Sequence, residues 1–200
     1  MNVITKVHQK SIHGRRVNSL LRCLQPLLPT TGKVLDVGCG DGLLASLLAR
    51  QLPATEFPGI DVLVREETQI PIDEFDGTTI SYDDNSFDTV MMVDVLHHTE
   101  DPEILVREAK RVARNWLVLK DHTCDGIGAY PTLRLMDWVG NAGHGVALPY
   151  NYLSQHEWDD LFHRVGMTVE SWDGQPNLYG NPGDWLFGRS LHFVARLAVE

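Results

Sequence analysis

At 200 residues the chain is long enough for one domain with a full hydrophobic core and too short for two ordinary ones. Its apolar and charged fractions, 43% and 22%, exclude intrinsic disorder as the default state, and no run reaches the roughly 18–20 apolar residues that span a bilayer. A formal net charge of −10, with no lysine/arginine run to offset it, repels phosphate backbones and argues against a nucleic-acid substrate.

Met1 to His13 is polar and lacks the apolar centre of a signal peptide, so a cytoplasmic location is expected. Val17, Leu20, Leu21 and Leu24 then form the apolar stripe of a helix, which Pro26 and Pro29 help to end. Lys33–Val37 is a strand that stops in Gly38-Cys39-Gly40-Asp41-Gly42, and Leu43, Leu44, Leu47 and Leu48 open a helix directly after. Further strands are expected near Glu56–Asp61, Asp73–Thr78 and Asp88–Val93. Asp101-Pro102 starts a helix running to about Ala113, and Asn115–Asp121 supplies a fifth strand. Ser154-Gln155-His156-Glu157 is a capping box before Trp158, Leu161, Phe162 and Val165, with Gly166 as the C-terminal stop. Met167–Trp172 and Leu191–Leu197 have strand character.

Strands alternating with helices predict a doubly wound, mostly parallel seven-stranded α/β sheet. No repeat, low-complexity tract or linker divides the chain. One domain over residues 1–200 is expected, with 1–30 as an N-terminal helical segment. Two stretches break the alternation: 122–153, with a short helix near Leu133–Val139 and the glycine-rich Gly140–Gly145, and 174–190, rich in Gly, Pro and Asn. The first leaves the carboxyl end of the fifth strand, where a loop can act as a substrate lid.

A glycine loop between strand and helix lets a ligand approach the backbone. The third position of G-x-G-x-x-G is Leu43, and no lysine follows as in a phosphate-binding P-loop. Asp36, two residues before Gly38, suits a cationic group better than a pyrophosphate. Asp61 lies where a carboxylate can accept from both ribose hydroxyls. A ribose, a cation and no phosphate describe S-adenosylmethionine.

Val34-Leu35-Asp36-Val37-Gly38-Cys39-Gly40-Asp41-Gly42 resembles the first motif of class I S-adenosylmethionine-dependent methyltransferases, and Gly59-Ile60-Asp61 their second acidic signature. Asp76-Gly77, with Tyr82 to Asp88, is similar to the stretch that brackets the adenine; Val93-Asp94-Val95-Leu96-His97-His98 with Asp101-Pro102 is similar to the segment after strand four in the type 11 small-molecule branch. The resemblance implies a Rossmann-like sheet with an antiparallel last strand; it also implies that Gly38, Cys39 and Gly40 approach the methionine part and that Asp36 faces its ammonium. It places Asp61 and Val62 at the ribose, Asp76 and Gly77 at the adenine, and Asp94 and His97 beside the sulfonium. Two departures stand out: a short region between the second and third strands, with room for only one or two helical turns, and Thr79-Ile80-Ser81 in place of the usual Leu-Pro.

His97, His98 and His122 are candidate bases for an acceptor hydroxyl or amine, with His144 equally open. Each can equally be structural. His97, His98, His122 and Cys124 match no usual zinc spacing, so no metal site is expected; Cys23, Cys39 and Cys124 form no disulfide framework. Trp138, Tyr150, Tyr152, Tyr179 and Trp185 either close over a substrate or pack their loops, and Arg15–Arg16 is expected to be solvated. The expected reaction is methyl transfer to an O, N or C nucleophile of a small or medium-sized acceptor. Its rivals are a non-catalytic cofactor-binding domain and a nicotinamide-dependent oxidoreductase, the latter opposed by the missing Tyr-x-x-x-Lys pair.

Overall fold

Side chains alternate across each strand, so a strand buried on both sides feeds two cores at once. Helix α1 (residues 16–24) buries Leu20, Leu21 and Leu24. In strand β1 (Gly32–Val37), Val34 joins these leucines, whereas Leu35 and Val37 face the opposite core. The computed structural model describes Gly14 and residues 16–141, 149–179 and 190–200. Helix α2 (Leu43–Gln51) covers the first face with Ala45 and Leu48. Strands β2 (Thr55–Glu56), β3 (Gly59–Asp61), β4 (Ile72–Glu74) and β5 (Phe87–Val93) follow.

A short 3-10 turn, Leu96–His98, leads into α3 (Pro102–Val112), and Asp101 caps it by accepting from Glu103 N at 2.9 Å. Strand β6 (Ala113–His122), helices α4 (Ala129–Asn141) and α5 (Gln155–Val165), and strands β7 (Met167–Asp173) and β8 (His192–Val199) complete the described elements. The capping box is formed: Ser154 N donates to Glu157 Oε2 at 2.8 Å and Ser154 Oγ accepts from Glu157 N at 3.4 Å. It sets α5 so that Trp158, Leu161, Phe162 and Val165 enter the second core, at up to ~1.5–3 kcal/mol for each large apolar side chain.

The sheet order is β4-β3-β1-β5-β6-β8-β7, with the short β2 also paired to β1. Strands β1 to β6 run parallel to one another, and β8 lies antiparallel between β6 and β7. The chain winds one way from β1 to β3 and the other way to β5, so a crevice opens at their carboxyl ends. No helix among the described residues is long and apolar enough to cross a membrane.

Four local readings change. The second strand divides around Phe57–Pro58, because Pro58 has no N–H for the ladder. The third ends at Glu74, since Asp76 folds back: its Oδ1 accepts from Thr78 N at 2.7 Å and Thr79 N at 2.6 Å. Residues 62–71, given room for one or two helical turns, contain no helix, and α4 begins four residues before the expected Leu133.

Candidate active site

At the carboxyl end of β1, Asp36 is only 3% exposed, and no described donor pairs with its carboxylate. Burial, reinforced by Asp61, pushes its pKa up to about 8. An ammonium placed here would relieve both effects. Gly38 adopts φ 71°, and a Cβ on it would come within 2.6 Å of Val95, so the loop needs glycine both for its backbone angle and for its contact with the turn after β5. A Cβ on Gly40 would meet nothing nearer than the Arg65 guanidinium at 3.6 Å, which leaves space above the loop.

Asp61 organises this space. Its Oδ2 accepts from Gly40 N at 2.7 Å and its Oδ1 from Leu63 N at 2.9 Å. Cys39 packs under Gly59, and burial together with Asp36 pushes its thiol far above the ordinary range, which makes it an inert wall rather than a nucleophile. Val62 is exposed and faces Gly77, where an added Cβ would sit 3.2 Å from Val62 Cγ1. Asp76 is exposed, and the N–H bonds from Thr79 and Thr78 hold it below the usual carboxylate range. The structure thus brings Asp36, Gly38, Cys39, Gly40 and Asp61 together, with Val62 and Gly77 as neighbouring walls. The Asp76 carboxylate is turned toward its own loop.

The other side of the crevice is a buried polar cluster. Asp94 lies one residue from the Val95 that touches Gly38. It pairs with Lys120 and, at 2.5 Å, with Arg16 of α1. Burial would raise it, yet these two cations hold it well below its ordinary range. Lys120 is 0% exposed, and burial lowers its pKa in turn.

Asp121, at the end of β6, receives His97 Nδ1 at 2.6 Å, Leu96 N at 2.9 Å and His122 N at 2.8 Å. On the far side of the ring, His97 Nε2 stands 3.4 Å from Asp137 of α4, and the Tyr152 hydroxyl donates to the same carboxylate at 2.5 Å. Burial opposes charge on His97, but Asp121 and Asp137 raise it to about 10. Burial, Lys120 and His97 lower His122 to about 4, and burial with His97 also lowers His98.

The sequence names neither Lys120, Asp121 and Asp137 as site residues nor His192, whose Nδ1 stands 3.3 Å from Lys120 Nζ, and Arg16, expected in solvent, is paired with Asp94. Arg15 and His144 lie outside the described residues. Position at the end of the fifth strand was the one available signal for Asp121. Asp137 had none, because its place depends on how α4 folds back. Cys124 packs with Ala129 and Leu133.

Residues 9–171 match the family described as methyltransferase domain. The chain belongs to that family. An uncharacterized methyltransferase of Mycobacterium tuberculosis is 43% identical over 91 residues, which cover 42% of this chain and 45% of that protein. A ubiquinone biosynthesis O-methyltransferase of Chromobacterium violaceum is 32% identical over 97 residues, covering 41% and 40% respectively. The chain spans less than half the length of these curated relatives. An S-adenosylmethionine-dependent methyltransferase from Mesorhizobium loti superposes with a TM-score of 0.69 at 17% identity, over 90% of this chain and 97% of that one. A [4+2]-cyclase superposes as well, at TM-score 0.65 and 16% identity, over 92% and 80%. Such likenesses establish the fold, which alone does not fix a reaction. The methyltransferase family brings S-adenosylmethionine as its cofactor, and the unpaired, buried Asp36 beside Asp61 is a site that fits that cation and its ribose.

Proposed function

We propose that this methyltransferase moves a methyl group from S-adenosylmethionine to an oxygen, nitrogen or carbon nucleophile of a small or medium-sized acceptor. Oxygen is favoured by the O-methyltransferases among its relatives. The observation that carries the reading is Asp36, a carboxylate buried without a donor at the glycine loop. Bound cofactor supplies the methyl group in activated, sulfonium-linked form. The protein's own task is then alignment and exclusion of water.

In this reading Asp36 receives the ammonium, Gly38, Cys39 and Gly40 line the methionine part, and Asp61 and Val62 hold the ribose. Gly77 walls the adenine, while Asp76 contributes through its Oδ2. Asp94 and His97 border the reacting end. His97 and His122 are poor candidates for a general base: carboxylates face both nitrogens of the first, and the second is buried beside Lys120. His98 is the more open of the three.

Residues 1–200 act in this reading as one domain, and 122–153 as the acceptor lid. Support for the lid comes from Tyr152 and Asp137, which fasten that segment to His97. Trp138 is 60% exposed and does not close over the crevice in this conformation. Residues 142–148, which include most of Gly140–Gly145, and Trp185 lie outside the described residues. Three free thiols support a reducing, cytoplasmic setting. The deciding assay incubates the chain with cofactor and a panel of phenols, alcohols and amines, and follows demethylated cofactor. Acceptor-dependent turnover supports the proposal. Cofactor binding without turnover on any acceptor would point to a binding domain, and binding of NAD in its place to an oxidoreductase.

A further inference from the structure

The buried cluster holds His97 in an asymmetric grip. Its Nδ1 meets Asp121 at 2.6 Å, a short charge-assisted hydrogen bond. Its Nε2 stands 3.4 Å from Asp137 Oδ1, too far for a bond of that kind. Two ligands each about 2.0–2.1 Å from one tetrahedral ion lie roughly 3.3–3.4 Å apart. The second spacing is that of an ion pair, and it also matches two atoms sharing one tetrahedral ion.

A third ligand stands beside them. His97, His98 and Asp137 each place a ligand atom within 4.8 Å of the others'. His98 Nδ1 is buried and has no hydrogen-bond partner, a costly state for a polar atom that no ligand takes. The supporting contacts follow the usual pattern of a metal site, in which a ligating histidine donates its other N–H to a carboxylate. Here Asp121 takes His97 Nδ1, and the Tyr152 hydroxyl donates to Asp137 Oδ2.

The alternative trio, His97, Asp121 and His122, is fully buried. Its Asp121 is already occupied by three donors, so it orients the site and does not form it.

We propose that His97 Nε2, His98 and Asp137 bind one divalent first-row transition ion, with Asp121 and Tyr152 as supporting residues. Two imidazoles and one carboxylate suit zinc, cobalt or iron(II), whereas magnesium prefers oxygen ligands alone. His98 is only partly buried, so the site has an open side. An acceptor hydroxyl placed there meets a cation that lowers its pKa, and its proton leaves to solvent. This use of the ion rests on the methyl-transfer reading; the site itself does not. The expectation of no metal followed ligand spacing along the chain, whereas these ligands converge from the turn after β5 and from α4.

The test uses the full chain, stripped with chelator and titrated with Co²⁺, whose visible absorption reports its ligands. The expected result is one Co²⁺ per chain, with at least tenfold weaker binding in His98→Gln and in Asp137→Asn. Both variants should keep the wild-type thermal shift with S-adenosylmethionine, which shows that they fold. Absence of stoichiometric Co²⁺ binding overturns the site, as does binding unchanged in both variants or displaced by excess Mg²⁺. Failure of the cofactor shift in the wild type would instead sink the methyltransferase reading and leave the Co²⁺ result standing.

Discussion

A carboxylate buried without a donor stores unfavourable free energy until a cation arrives, and Asp36 is such a group. Its pKa of about 8 in the free chain lies above the ~3.9 of an unfolded aspartate. Asp36 therefore contributes stability that is full below pH ~4 and is lost as pH rises through about 8. An arriving ammonium should drive the proton off, so cofactor binding at pH 7 should release close to one proton and tighten as pH rises toward 8. Calorimetry in buffers of different ionisation enthalpy checks this, and Asp36→Asn should abolish the proton release. Asp61 differs, because it already accepts from Gly40 N and Leu63 N. Asp61→Ala removes those bonds as well as the ribose contacts, and cofactor affinity should fall at least tenfold, about 1.4 kcal/mol. Titration calorimetry reads it directly; unchanged affinity would place the ribose elsewhere. This half of the site was legible because Asp36, Gly38, Gly40 and Asp61 are fixed by strand ends and one turn. The polar cluster was not, since Arg16, Lys120 and Asp137 meet only through tertiary folding.

The elements read most clearly from sequence are those that carry their own punctuation. Asp101-Pro102, the Ser154–Glu157 box and Gly166 mark helix ends through local hydrogen bonds, and each sits where the sequence puts it. Ser154→Ala should cost about 1 kcal/mol in urea denaturation and leave cofactor affinity unchanged, because the cap lies at the exposed end of α5, away from the glycine loop. A loss well above that would mean Ser154 holds more than the helix end. Strand ends were less legible, because side chains compete with the ladder for backbone groups. Asp76 takes the N–H groups of Thr78 and Thr79 and so ends the third strand early. Helix α4 was under-read because Ala129–Thr132 carry little apolar periodicity, although Ala129 and Leu133 pack against Leu191. Its outer face leaves Leu135, Trp138 and Val139 exposed.

For the molecule as a whole, the crevice at the β1/β5 switch point links ligand binding to global stability. S-adenosylmethionine or its demethylated product should raise Tm, with about 2.7 kcal/mol gained at 100 times Kd, whereas NAD and ATP should not. Stabilisation by NAD alone would defeat the assignment. The sheet also imposes an order of assembly. Strands β1, β3, β5 and β6 can pair as the chain grows, but β8 pairs with β6 from Trp116–Ala198 to His122–His192 and separates it from β7. Until that last strand arrives, β6 is a bare edge carrying Leu117, Val118 and Leu119, open to any other extended chain. Insertion of β8 is a non-local step and a slow one for folding, so the same strand that seats Phe193 and Ala195 in the core also closes the window for aggregation. Refolding yield should accordingly fall with protein concentration, and a mutation that weakens β8 should harm recovery from denaturant more than it harms the folded enzyme's lifetime.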